Sequence, residues 1–394
     1  MTNWPAVWVI FAGGLAGGAL MTKVPPALPG LRADLGLTLV ESGFLHTVMY
    51  VVGGTVGVFG GALADRFGRK RFALAGLALM ASGGLLGAAA SGYGLLLASR
   101  FVEGLGFILF TVPAVPLLVA AAEPKDRPTA LSLWSCYMPT GGTAALLATP
   151  LALVTLGWRS LWIGLAAYTL ACTFLVARYV PASAAAPRLG SARLLAESLT
   201  RPGVLALCLA FICYTGQWTS LMTWLPTFVV SERGASAGQA ALLTAAFVAV
   251  NIPGNLLGGV LLRVGVSRRS VMVFGAAAMA VTSAGLFWTA APDGLRLASL
   301  LAFSMLGGVI PAAIFSGTPL HARSPQHVGT ANGMVMQASH LAQFGLPILV
   351  AWIASRLGGW SATLDTMLVL AGCGVLAGIA LGRVERARSA APAR

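Results

Sequence analysis

Long apolar runs separated by short polar or Gly/Pro-rich breaks dominate the chain, and the runs are apolar on every face. A lipid-facing barrel needs short segments that alternate apolar and polar positions, so strands are excluded. A helix crossing a hydrocarbon core of about 30 Å needs roughly 20 such residues. Runs of that length lie near 5–25, 39–62, 73–92, 95–121, 129–156, 158–180, 204–230, 238–262, 270–291, 294–319, 328–355 and 361–382. They predict twelve membrane-spanning helices, called spans 1 to 12.

Between spans 6 and 7 the stretch Pro181–Pro202, PASAAAPRLGSARLLAESLTRP, is too polar to cross a membrane and divides the runs six and six. An internal repeat supports that division. GGALADRFGRKR (Gly60–Arg71) returns as GGVLLRVGVSRR (Gly258–Arg269), Gly157-Trp158 returns as Gly359-Trp360, and Gly104 with Pro116 returns as Gly307 with Pro319. Three independent landmarks at nearly one offset indicate duplication. The expected architecture is an all-α membrane protein with twelve transmembrane helices in two six-helix pseudo-symmetric halves. Residues 1–180 and 204–382 form the halves, 181–203 a cytoplasmic linker and 383–394 a basic cytoplasmic tail.

Composition fits lipid as the solvent, since only 9% of residues are charged and 57% are hydrophobic, too little polar surface for a water-soluble domain. A net charge of +14 would suggest nucleic acid in a soluble protein, but its placement decides otherwise. With the N-terminus in the cytoplasm, eighteen Lys and Arg fall on the cytoplasmic side and six on the other, with Arg100 inside span 4. That is the positive-inside pattern for an even number of spans with both ends cytoplasmic, in a plasma (bacterial inner) membrane. Anionic lipid adds attraction for the same residues, and no nucleic-acid partner is expected. The first 30 residues lack a basic segment before the apolar run and a small-residue cleavage site, so they read as a retained first span. Cys136, Cys172, Cys208, Cys213 and Cys373 all lie in apolar runs without C-x-x-C or nearby His, which excludes a metal site.

The hinge between spans 2 and 3 carries Gly61, Ala64, Asp65, Arg66, Gly68, Arg69 and Lys70, and it resembles the G-x-x-x-D-R-x-G-R-[KR] hinge of the major facilitator superfamily. SRFVEGLGF, with Arg100, Gly104 and Gly106, resembles the family pattern of span 4. With twelve spans, the resemblance covers the whole chain. It implies that Asp65 lies near the N-terminus of span 11, around Val328 to Asn332, where a carboxylate meets the positive helix end and favours a state closed to the cytoplasm. Gly61, Asp65, Arg66, Gly68 and Arg69 are therefore expected to form a gating hinge. The second half has Leu262 or Arg263 in place of the Asp, so the gate is expected to be asymmetric.

Charge within the membrane is retained for function or pairing. Arg100 and Glu103, at i and i+3 on span 4, share a face and can neutralise each other. Their counterparts in the repeat are Phe303 and Leu306, so the fold itself does not demand charge there. Lys23, His46 and Tyr50 belong to the same outer layer, and the five together are candidates for substrate attraction or proton coupling. A cavity lining is expected from Trp134, Tyr137, Tyr214, Gln217, Trp218, Asn251, Asn255, Gln337, His340 and Gln343. Asp365 near the start of span 12 is a further candidate proton site.

A G-x-x-x-x-G-K-[ST] loop, an H-E-x-x-H motif and a nucleophile with its base are all absent, so ATP, cofactors, metals and enzymatic chemistry are not expected. The expected function is secondary transport of a small solute by rocking of the halves, driven by protons, in a monomer. Drug exporters of the family usually carry an acid in span 1 or the cavity, and span 1 here has none. A cationic outer layer, together with TSLMTWLPTF (Thr219–Phe228), which resembles a segment of the cyanate and nitroimidazole permease branch, favours a small anion or polar metabolite. A proton-driven multidrug exporter and a membrane solute sensor are the alternatives.

Overall fold

The computed structural model describes residues 1–182, 200–357 and 359–390; most of the expected linker, 183–199, and the last four residues of the expected tail fall outside them. Among the described residues the regular structure is entirely helical. Span 1 is α1 (Trp4–Thr22), continued past a break by α2 (Val24–Leu35), whose far end with Asp34 lies beyond the span, span 2 is α3 (Leu39–Phe67), span 3 is α4 (Arg69–Ala88) and span 4 is α5 (Tyr93–Ala121). Span 5 comprises α6 (Arg127–Ser135) and α7 (Tyr137–Thr155), and span 6 is α8 (Trp158–Tyr179). In the second half, span 7 is α9 (Pro202–Arg233), span 8 comprises α10 (Ala237–Ala249) and α11 (Asn251–Arg263), and span 9 is α12 (Arg268–Phe287). Span 10 comprises α13 (Asp293–Gly307) and α14 (Val309–His321), span 11 is α15 (Val328–Arg356), and span 12 is α16 (Leu364–Ala390). Eleven helices among the described residues are long and apolar enough to cross a membrane; the remaining one, span 5, is divided at Cys136.

The interruptions follow from proline. Pro139, Pro253 and Pro311 each lie three residues beyond a break, at Cys136, Val250 and Gly308. A proline has no N–H to give the carbonyl four residues back and its ring crowds that carbonyl, so the helix turns before it. Span 1 breaks at Lys23 for the same reason, with Pro25 and Pro26 opening α2. Helix starts are marked in the sequence as well: the Thr38 side chain accepts from the Glu41 N–H while Glu41 caps the Thr38 N–H, and Ser236 with Gln239 repeats the arrangement at α10.

Gly68 joins α3 to α4 at φ 108°, a backbone conformation that only glycine adopts cheaply. The repeated Gly-Trp pairs share such a turn, with Gly157 at φ 77° and Gly359 at φ 91°, each just before its Trp.

The halves meet most extensively where α3 lies along α15. A Cβ on Gly57 would stand 2.9 Å from the Gly333 carbonyl oxygen, and one on Gly333 would stand 2.5 Å from the Gly57 oxygen. Nearer the basic hinge, a Cβ on Gly61 would strike the Gly329 carbonyl. This glycine seam lets two backbones touch where side chains would hold them apart. Under the repeat offset that relates Gly60 to Gly258, the seam residues Gly53, Gly57 and Gly61 correspond to Asn251, Asn255 and Gly259 of α11. There α11 packs on α6 through side chains: Ser132 Oγ donates to the Asn255 carbonyl at 3.2 Å and fills the space over Gly259.

Replacing Gly61 with Val is expected to separate α3 from α15 at the basic end. Alkylation of a cysteine placed at Thr111 in a cysteine-free chain should speed up several-fold, and an unchanged rate would show that the seam does not close this side.

Candidate functional site

Between the halves lies a cavity of about 60 Å³. The first half contributes Met21, Tyr50, Phe107, Ser135, Tyr137, Met138 and Pro139, and the second contributes Phe211, Tyr214, Thr215, Trp218, Thr219, Asn251, Pro311, Phe315, Met336, Ser339, His340 and Gln343. Aromatic rings form much of the wall, and hydroxyls, amides and the imidazole of His340 supply its polarity.

His340 is held closely. Its Nδ1 lies 2.6 Å from the Met336 carbonyl oxygen. A carbonyl can only accept, so Nδ1 carries the hydrogen and the neutral ring offers Nε2 as an acceptor. The ring fits across the interface because Gly53 has no side chain; a Cβ there would stand 2.7 Å from Cδ2. Phe107 meets it edge-on at 5.7 Å and Tyr50 lies 6.2 Å away. On the opposite wall Asn251 donates to Tyr214 Oη at 3.0 Å and to the Ser304 carbonyl at 2.7 Å, while Trp218 Nε1 donates to Ser304 Oγ at 2.9 Å.

Six of the ten residues expected to line the cavity do so: Tyr137, Tyr214, Trp218, Asn251, His340 and Gln343. Four do not, and each has a nearer partner. Trp134 stacks on Tyr137 at 4.3 Å, behind the wall, and Asn255 donates to Asn251 Oδ1 at 2.7 Å. Gln337 accepts the Val58 N–H at 2.9 Å across the seam, and Gln217 turns back to the Cys213 carbonyl at 2.8 Å beside a smaller void within the second half. Phe107, Phe211, Phe315 and Met336 were missed because an apolar side chain in a span looks the same whether it faces lipid or a passage.

Below the cavity the halves are tied at the end that bears the basic hinge. Asp65 Oδ2 accepts from the Thr330 N–H at 2.7 Å and from its hydroxyl at 3.0 Å, at the N-terminus of α15. Arg69 donates to Asp65 Oδ1 at 2.9 Å and to the Pro325 carbonyl at 2.6 Å, so one guanidinium holds both sides. Asn332 Nδ2 adds a bond to the Val112 carbonyl at 2.9 Å. Arg66 lies over the Phe67 ring and faces outward, while Gly68 makes the turn.

The remaining candidates are placed differently from expectation. Lys23, Arg100 and Glu103 meet, but all three are fully buried and none lines the cavity. Lys23 Nζ lies 2.6 Å from Glu103 Oε1 and 4.1 Å from the centre of the Trp162 ring. Arg100 binds Glu103 Oε2 through one nitrogen and reaches the Leu20 carbonyl at 2.9 Å and the Leu45 carbonyl at 3.2 Å through others. Two causes seal the cluster. Leu20 lies one turn before Pro25, at the break in span 1, so its carbonyl is within reach of Arg100. Gly83 and Gly87 of α4 leave room for Glu103 and for Trp162 to close over it. The expected cationic layer facing a passage is thus an ion cluster behind the cavity wall, with one more cation than anion. Of the five candidates Tyr50 alone lines the cavity; His46 packs edge-on to it at 5.6 Å, with Nδ1 buried and unpartnered.

At the opposite end of the first half, the carboxyl of Asp34 on α2 is held below its ordinary range by the indole N–H of Trp158 and then by Arg159. A depressed carboxyl contributes stability above its unfolded-state pKa and loses it as pH falls, so this contact weakens in acid.

The profile described as Major Facilitator Superfamily matches residues 9–345 and 207–394. A probable sulfoacetate transporter of Cupriavidus necator is 25% identical over 91% of this chain and 88% of its own length. A 2-nitroimidazole transporter of Escherichia coli is 26% identical over 93% and 92%. Among solved structures, the proton:xylose symporter XylE superposes with a TM-score of 0.80 at 17% identity, over 97% of this chain and 95% of its own, a likeness of fold.

Asp65→Asn should weaken closure of the basic end by about 1–3 kcal/mol, because two charge-assisted contacts lose their anion. The Thr111 cysteine assay should then report faster alkylation; no change would remove Asp65 from the closure. Glu103→Gln strands two buried cations and should lower folding stability by about 3 kcal/mol or more, read as a loss of Tm in detergent. An unchanged Tm would mean that the cluster is not charged as drawn.

Proposed function

The chain belongs to the Major Facilitator Superfamily, and on that premise we propose that it is a secondary transporter of a small organic anion with a planar body, moved by alternating access and coupled to protons. The observation that carries this reading is an uncharged, aromatic-walled cavity backed by a buried cluster with two cations for one anion. Aromatic walls favour a flat solute through ring contacts. The surplus charge acts at a distance: a unit charge across about 10 Å contributes about 2 kcal/mol at an effective dielectric of 20, enough for more than tenfold preference for an anion over a neutral analogue.

The related transporters are named for sulfoacetate, an anion, and for 2-nitroimidazole, a planar heteroaromatic, which together span the proposed chemistry. Export of cationic drugs is the less favoured reading, since no acidic side chain is among the described residues that line the cavity. The distribution of Lys and Arg supports both ends in the cytoplasm of a bacterial inner membrane. On that topology the conformer is closed toward the cytoplasm, through the Asp65 contact and the glycine seam. We read the chain as a monomer whose halves rock about the cavity.

Benzoate, acetate, benzamide and benzylamine separate the readings. Benzoate should raise the Tm of the purified protein more than acetate or benzamide and should exchange in counterflow, while benzylamine does neither. Stabilisation by benzylamine in place of benzoate would reverse the assignment of charge. Benzoate binding without counterflow would make the protein a sensor.

A further inference from the structure

Three ionisable side chains share the sealed cluster, and they are unequal as carriers of a proton. A guanidinium is a poor proton carrier, and that of Arg100 is fixed by Glu103 and by two backbone carbonyls. Glu103 gives each carboxylate oxygen to a different cation, so protonating it forfeits a charge-assisted bond and leaves two cations facing a neutral acid. Lys23 is the exception. Loss of its proton leaves the neutral Arg100–Glu103 pair, and the amine still has N–H groups for Glu103.

Other groups around Lys23 do not replace it. His46 and Tyr50 face the cluster from α3, Trp162 covers it from α8, and the glycines of α4 packed there bring no titratable group. On α7 the titratable side chain packed toward span 1 is Tyr137, which lies against Gly14, more than two turns from Lys23. The cavity wall is near: Phe107, one turn beyond Glu103 on the same face of α5, belongs to it.

We infer that Lys23 carries the exchangeable proton of the transport cycle, passing it from Nζ to cavity water and regaining it in the alternate conformer, while Arg100 and Glu103 remain an ionised pair. The inference rests on the proposed proton coupling. It assigns that coupling to the break in span 1 and links it to charge. An anion in the cavity holds Lys23 protonated and an empty cavity releases the proton, so one proton moves with each anion.

The chain has three lysines, Lys23, Lys70 and Lys125, so the full-length protein labelled with 15N-lysine gives three Nζ signals to follow across pH in lipid nanodiscs without ligand. The signal missing from Lys23→Arg, a variant that keeps the charge, should titrate apart from the other two. Its midpoint should also move in Asp65→Asn, because a coupling proton must sense which end is open. Three signals that titrate together would overturn the inference, as would a Lys23 midpoint untouched by Asp65→Asn. So would a protonated-carboxyl infrared band that grows on acidification and vanishes in Glu103→Gln. None of these readouts uses a substrate, so failure of benzoate to bind would count against the anion reading alone.

Discussion

Charge can be kept inside this helical bundle only where each ionic group finds partners, and Glu103 is the point at which that condition is met. Its two oxygens hold Lys23 at the break in span 1 and Arg100 on span 4, and Arg100 in turn engages carbonyls of spans 1 and 2. Three helices of the first half are pinned at one place. The second half has Phe303 and Leu306 at the repeat positions, and its span 10 is broken at Gly308 instead. There the bracing is neutral: Trp218, Ser304, Asn251 and Tyr214 pass hydrogen bonds from one helix to the next. Duplication supplied one scaffold, and the two halves stiffened it by different means.

The same division governs how the halves touch. On the side of α3 and α15, glycines bring backbones together and a carboxylate meets a helix N-terminus, where the helix dipole and free N–H groups favour an anion. On the side of α6 and α11, Asn255, Gly259 and Ser132 make a neutral contact, and Leu262 or Arg263 stands where the Asp would be. Contact at the first interface therefore combines close backbone packing with charge, and contact at the second is neutral packing alone. Substitutions at the first act through shape at Gly61 and through electrostatics at Asp65, those at the second through shape.

Twelve runs, the duplication and the hinge were legible in the sequence because each rests on a strong local constraint: the length needed to cross hydrocarbon, a repeated turn glycine, and a carboxylate amid basic residues. The position of Asp65 came from family likeness and could not have been deduced from spacing. Sealing of the cluster was not legible, since it depends on a carbonyl near the proline break in span 1 and on Gly83 and Gly87 of another helix. Polarity in a span indicates that a residue avoids lipid and does not say which partner it finds, hence Gln217, Gln337 and Asn255 turn to protein groups while Phe107 and Phe211 reach the cavity.

Cavity and gate are connected by two continuous helices. α3 carries Tyr50 at the cavity and Asp65 at the gate, about 22 Å apart at the rise of an α-helix, and α15 carries His340 and Thr330, about 15 Å apart. Between these ends lies the glycine seam, where backbone atoms already touch and the helices can only slide or tilt as units. On the proposed alternating access, a solute that presses His340 away from Tyr50 and Phe107 moves the far ends of the same helices. At the gate a shift of about 1 Å is enough to break a hydrogen bond that starts near 3 Å. Asp65 is satisfied by Thr330 and Arg69, so the gate needs no charge from the cavity. On the proposed reading, occupancy is transmitted through geometry along the seam, and the charge surplus behind the wall selects the solute that exerts that pressure.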